Sequence, residues 1–296
     1  MAGASLRLYQ VGAGLARLVP APLAAAAGAV IGDAAALAAP ERRHQVERNL
    51  RRVHGVDFEG RALRRAVRHT FRSYARYYLE SFRLPAISRA ALVAGMSVPG
   101  WEHVQRGLEG GKGVILALPH LGGWEWAGFW VAEEKGVPIS VVVEALEPRE
   151  VFDWFVDLRR SFGMNVIALG PGAGSEVLRA LAANHVLCLL SDRDIDGGGV
   201  EVEFFGERTT LPAGPATLAL RTGAPLLPTA VYYRNGGRHG EVRPPIPIER
   251  KGRLREDVAR VTQALAHELE ALIRDAPDQW HLMQPNWPSD PGFRRP

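Results

Sequence analysis

From residue 98 onward, short apolar runs alternate with helix-length stretches, and few folds satisfy that alternation. The runs are GVILALP (113–119), VPISVVVEAL (137–146), NVIAL (165–169), VLCLLS (186–191), VEVEFF (200–205) and APLLPTAVYY (224–233). Their length and β-branched content suit strands buried on both faces. Between them, Trp124–Glu134, REVFDWFVDLRRSFG (149–163), SEVLRALAAN (175–184) and PAGPATLALRTG (212–223) have helical length, with Pro148 set to open one and Gly163 to close it. Buried strands joined by helices predict an α/β fold with a largely parallel central sheet flanked by helices. Such sheets collect functional residues at the carboxyl ends of their strands.

With 296 residues, 47% of them hydrophobic, the chain has apolar mass for a sizeable core. No linker, repeat or low-complexity tract interrupts it, so one domain over 1–296 is expected: a helical segment to residue 95 and an α/β core over 96–290. The one cysteine, Cys188, excludes a disulfide within the chain and reads as a small buried hydrophobe.

Residues 5–51 read as two or three helices on a core or a bilayer surface, with Arg7 and Arg17 ahead of APLAAAAGAVIGDAAALAA (21–39). Alanine is too weakly apolar, and Asp33 too central, to predict a spanning helix. Residues 61–83 place Arg61, Arg64, Arg68, Arg72 and Arg76 on one helical stripe, and Leu63, Val67, Phe71, Tyr74, Tyr78 and Phe82 on another face. The stripe is either a solvated face over a core or a patch for an anionic membrane surface. No nucleic-acid-reading motif accompanies it.

Three segments carry candidate chemistry. In HLGGWE, His120 directly follows the strand-like GVILALP, and an imidazole there can take a proton from a hydroxyl near neutral pH. A base of this kind needs a group that fixes its tautomer, and Glu125 is one candidate. In SDRDIDGGG, Ser191, Asp192, Arg193 and Asp194 either brace a loop, orient a base or hold a polar headgroup. Glu201, alternating with Val200 and Val202, could present a carboxylate to the same place. The glycines of GPGAGSE (170–176) imitate a dinucleotide fingerprint, but with the wrong spacing and a stiffening Pro171. A nucleotide-dependent oxidoreductase is the reading they leave open. No G-x-S-x-G elbow, Walker loop or HExxH motif occurs, and no metal is expected.

Taken in order, His120-Leu-Gly-Gly-Trp-Glu125, LRRSFGMNVI, SDRD, EFFGERTTLPAGP, TGAPLLPTAVYY and QWHLMQPNW (279–287) resemble the bacterial lipid A biosynthesis (lauroyl/myristoyl) acyltransferases and, within them, the actinobacterial phosphatidylinositol mannoside acyltransferases. The resemblance covers most of the chain. It implies a glycerolipid acyltransferase-like fold with a membrane-facing N-terminal helical segment, peripheral on the cytoplasmic face of the plasma membrane. It implies acyl-CoA as co-substrate with no further cofactor, a glycolipid acceptor, and His120 as the base that deprotonates the acceptor hydroxyl. It implies Glu125 or Glu201 as the carboxylate that steadies the imidazolium. It also implies an arginine near 159–160, taken as Arg160, with Asp192, Arg193 and Asp194 binding substrate. Richness in alanine and arginine favours a mannoside acceptor and acyl-CoA over lipid A and acyl carrier protein, and palmitoyl is the acyl group expected.

Overall fold

The computed structural model describes residues 14, 21–144, 149–195 and 197–294; the expectations placed on Arg7, Arg17 and Pro148 lie outside these residues. The chain enters through α1 (Ala21–Ala38), α2 (Pro40–His54), α3 (Gly60–Arg83) and the short α4 (Arg89–Ala94). The α/β part then runs β1 (Met96–Ser97), α5 (Trp101–Glu109), β2 (Val114–Leu118), α6 (Trp124–Trp130), β3 (Ile139–Val143), α7 (Arg149–Ser161), β4 (Asn165–Ala168), α8 (Ala173–Ala182) and β5 (Val186–Leu190). It closes with β6 (Val200–Phe204), β7 (Glu207–Leu211), α9 (Gly214–Thr222), β8 (Leu226–Arg234), β9 (Gly237–Val242) and α10 (Leu254–Arg274).

Seven of these strands form one sheet in the order β1-β9-β8-β2-β5-β3-β4, parallel throughout except at β8–β9. The expected parallel sheet is present. β2 and β5 lie at its centre, and every residue of β2 is buried, because helices cover both faces. Ile115, Ala117 and Leu187 pack with α8, α9 and α10, whereas Val114, Leu116 and Leu118 face the opposite cluster around Val104, Leu227 and Val242. One expectation changes, and one strand is added. VEVEFF is not a sheet strand: β6 pairs only with β7 in a separate hairpin, turned by Phe205 (φ 54°) and Gly206 (φ 74°). And β9, which lacks apolar alternation, joins the main sheet because Asn235 (φ 51°) and Gly236 (φ 76°) fold it back on β8.

The N-terminal helices pack by an unusual ridge. Over residues 23–38 of α1, the buried positions are Ala24, Gly28, Gly32 and Ala36, one every fourth residue. They lie on α3 so closely that a Cβ at Gly32 would stand 2.7 Å from the Arg72 Cα. A larger residue has no room there. The rest of α1 is apolar yet open, with Leu23, Val30, Ile31 and Leu37 between 52% and 77% exposed. No single described helix is long and apolar enough to cross a membrane; α1 and α2 together have the length, but they meet at 100° where Pro40 starts α2. On α3 the seam Leu63, Val67 and Phe71 is core. The basic stripe divides: Arg61, Arg64 and Arg68 are exposed, whereas Arg72 pairs with Asp33 (2.6 Å) and Arg76 with Glu80 (2.7 Å) while covering the Tyr233 ring. The last two therefore serve the fold, which corrects their placement in a free stripe.

Candidate active site

The parallel register of β2 and β5 sets Leu118 beside Leu190. Two residues further on, at the carboxyl ends of the same strands, His120 and Asp192 meet. The His120 backbone N–H donates to Asp192 Oδ2 (3.0 Å), and the ring Nδ1 stands 2.7 Å from Oδ1. Asp192 is fully buried. Its Oδ2 also accepts from the Trp280 indole (2.8 Å), and its carbonyl accepts from Asn286 Nδ2 (3.1 Å). Burial by itself would raise this carboxyl, but the charge and hydrogen bonds of His120, joined by the indole, outweigh it and hold the group below its ordinary value. An ionised Asp192 can only accept, so Nδ1 carries the proton and Nε2 is left as the basic nitrogen.

The C-terminal segment locks this turn from outside. Leu121 bridges Trp280, Gly122 N–H donates to the Gln279 carbonyl (3.0 Å), and His281 N–H to the His120 carbonyl (2.7 Å). Gly122 sits at φ 61°, where a Cβ would lie 2.0 Å from the Val231 carbonyl oxygen, so the turn admits only glycine. Trp124 packs edge-on to His120, 5.7 Å between centroids, and stacks on Tyr77 at 4.0 Å. Behind them His281 pairs with Ser73 (2.8 Å); burial, reinforced by the charge of His120, lowers its pKa to about 3 and keeps it neutral.

The carboxylates expected beside His120 are elsewhere. Glu125 is buried in the first turn of α6, where it forms an ion pair with Arg159 through both guanidinium Nη2 and Nε and accepts from the Tyr77 hydroxyl (3.4 Å). Glu201 lies on the exposed face of the β6–β7 hairpin and pairs with Arg208 (3.2 Å). Asp192 takes the position offered to either of them, because register, and not spacing in the chain, decides which side chains meet. Arg160 is exposed, and Arg159 is the inward arginine: one residue along a helix turns the side chain by about 100°, which puts Arg159 on the face of Phe155 and Phe152. Asp194 accepts from Gly197 N–H (3.2 Å) and Gly199 N–H (3.1 Å), so its carboxylate braces the loop. Arg193 and Asp194 both border the cavity described next. Sequence reasoning assigned no role to Trp280, Asn286, Tyr77 or His281; the tryptophan and histidine of QWHLMQPNW were the available signal.

Two voids meet at this site. The larger, about 750 Å³, opens over His120, Trp124, Arg159 and Arg193 and extends between α8 and α9. The smaller, about 100 Å³, is an apolar channel under α6, bordered at its near end by Glu125 and Arg159. Trp124, Val142, Val143, Arg159, Leu189 and Leu190 line both, so the channel leads off the cavity beside the imidazole. The glycines of GPGAGSE form the turn into α8, with Gly172 as its N-cap at φ 94°. Among the described residues, no group of three or more His, Cys, Asp or Glu side chains is placed to hold a metal ion.

A basic imidazole held by a buried carboxylate, an inward guanidinium and an apolar channel suit transfer of an apolar acyl group to a hydroxyl. Comparisons agree. Residues 5–289 match the family model described as bacterial lipid A biosynthesis acyltransferase. A phosphatidylinositol mannoside acyltransferase of Mycolicibacterium smegmatis is 39% identical over 281 residues, 93% of this chain and 89% of the relative. Its namesake in Mycobacterium tuberculosis is 39% identical over 251 residues, 83% of this chain and 77% of the relative. The family accounts for the site without the dinucleotide reading of the glycines. This chain belongs to the bacterial lipid A biosynthesis acyltransferase family.

Proposed function

We propose that this acyltransferase moves a palmitoyl group from palmitoyl-CoA to a mannose hydroxyl of a phosphatidylinositol mannoside. The observation that carries the reading is the Asp192-oriented imidazole of His120 at the junction of an open cavity and an apolar channel. The relatives' names support the acceptor. His120 Nε2 takes the proton of the acceptor hydroxyl as its oxygen attacks the thioester carbonyl. Asp192 steadies the imidazolium that forms. Arg159, with Nε and Nη2 held by Glu125, turns Nη1 to the oxyanion of the tetrahedral intermediate. Collapse forms the ester and releases the thiolate of CoA, which takes the proton back from His120. No acyl-enzyme is required. Glu125 is then a positioning residue for Arg159, and Glu201 has no part in the reaction.

The acyl chain enters the channel under α6, and the donor's polar arm and the acceptor share the wider cavity with Arg193 at its border. The protein rests on the cytoplasmic face of the plasma membrane, where acyl-CoA is at hand. Its contact is the open apolar side of α1, flanked by Arg61, Arg64 and Arg68 of α3. Incubation of the purified protein with labelled palmitoyl-CoA and a mannoside-containing lipid extract tests the reading. Label in an ester of the mannoside supports it; label in a different glycolipid replaces the acceptor; no transfer to any lipid overturns it.

A further inference from the structure

The cavity over His120 reaches beyond the reacting groups, into a limb between α8 and α9. On α9 the bordering residues include Gly214, Thr217, Leu218 and Arg221, spaced so that one face of the helix lines the limb along its length. At ~1.5 Å per residue that face runs about 10 Å. Across from it, α8 contributes Ala173, Val177 and Leu178 and no charged side chain. Besides Arg159, two cations border the cavity: Arg221, in the last turn of α9, and the half-buried Arg193, next in the chain to Asp192. Among the described residues neither has a hydrogen-bond or ion-pair partner, whereas Arg159 is held by Glu125. Glu144 and Asp194 also border the cavity, yet neither pairs with these arginines, and Asp194 is engaged by the N–H groups of Gly197 and Gly199. A helix dipole favours a base in the last turn, but it does not choose the face, and Arg221 takes the face that lines the cavity.

We infer that Arg221 and Arg193 bind a phosphate ester of a substrate in this cavity, Arg221 from the α8–α9 limb and Arg193 from the side of Asp192. This rests on the acyl-transfer reading above, whose two substrates both carry such esters: the phosphates of CoA and the phosphodiester of the acceptor. A guanidinium presents a planar fork of donors that matches phosphate oxygens, and an anionic partner is what both arginines lack within the protein.

The test titrates CoA and, separately, glycerophosphoinositol into wild type, Arg221→Gln and Arg193→Gln. Arg179→Gln, at an exposed position of α8 outside the cavity, controls for net charge. In parallel, kcat/KM is measured for palmitoyl-CoA and for palmitoyl-N-acetylcysteamine, a thioester without phosphate, and thermal unfolding checks each fold. Loss of charge-assisted hydrogen bonds should weaken binding of the recognised probe by roughly ten- to hundredfold in Arg221→Gln and Arg193→Gln, and by less than about twofold in Arg179→Gln. Weaker CoA binding, with kcat/KM lowered for palmitoyl-CoA but not for the phosphate-free thioester, assigns the ester to the donor. Weaker glycerophosphoinositol binding, with CoA binding unchanged, assigns it to the acceptor. No binding of either probe to wild type, or unchanged binding of both in folded Arg221→Gln, overturns the proposal. Wild type that binds a probe through these arginines and transfers no acyl group would instead overturn the acyl-transfer reading, so the two failures are distinct.

Discussion

Replacing Asp192 by asparagine changes one atom and should abolish turnover while sparing the fold. Oδ2 accepts from two fixed donors, the His120 backbone N–H at 3.0 Å and the Trp280 indole at 2.8 Å. An amide nitrogen cannot accept from either, so the asparagine must turn its oxygen to that side. Its NH2 then faces His120 Nδ1. Two donors cannot share that 2.7 Å contact, so Nδ1 must become the acceptor and Nε2 the protonated nitrogen. The base is lost with the ring still in place. A tautomer reversed in this way costs about 10⁴ in kcat in a comparable histidine–aspartate pair, equivalent to roughly 5 kcal/mol of barrier. Stability should fall far less, since both fixed donors keep an acceptor. Asp192→Ala leaves them unpaired in a fully buried place, at about 1–3 kcal/mol for each. Acyl transfer with palmitoyl-CoA, chemical denaturation, and nitrogen NMR of the His120 ring would be measured together. Asp192→Asn with more than a tenth of wild-type turnover, or with Nδ1 still protonated, would refute the assignment of Asp192 as the orienting carboxylate.

Arg159→Ala should lower kcat by about 10²–10³ through loss of a charged oxyanion donor, and Arg160→Ala should leave it within twofold; equal effects of the two would remove Arg159 from the oxyanion site. On anionic vesicles, changing Val30, Ile31 and Leu37 together to serine should release the protein in a flotation assay, and Arg61, Arg64 and Arg68 to glutamine should make binding weaker and insensitive to salt, at about 1 kcal/mol for each arginine; changing Arg72 and Arg76 should instead act on stability, since they are paired within the protein. Unchanged flotation in the serine variant would move the membrane contact away from α1. His281 has a folded pKa of about 3 against an ordinary 6.5, so the unfolded chain binds the proton first and stability falls as pH drops from about 6.5 towards 3. Asp192 and Asp290, both held below 3.8, add a further loss beneath that value. Denaturant titrations of wild type and His281→Gln across this range should show the upper part of the slope missing from the variant; parallel slopes would contradict a buried neutral histidine.

What the sequence determined by itself was the class of fold and the place of His120. Strands such as GVILALP must be buried on both faces, which forces helices onto a parallel sheet, and a histidine directly after such a strand must stand at the sheet's carboxyl edge. These are local consequences of hydrophobicity and chain geometry. The hairpins of β6–β7 and β8–β9 were less legible, because their turns depend on positive φ at Phe205, Gly206, Asn235 and Gly236, and Asn-Gly at 235–236 was the one plain signal. The partner of His120 was not legible at all. Glu125 is five residues from it in the chain and Asp192 seventy-two, yet helix α6 carries Glu125 inward to Arg159, while the pairing of Leu118 with Leu190 delivers Asp192. Trp280 and Asn286, which hold that carboxylate, arrive from further still. Hydrogen bonds across a parallel sheet join residues without regard to their separation in sequence, so the composition of the site was decided only when the strands came into register.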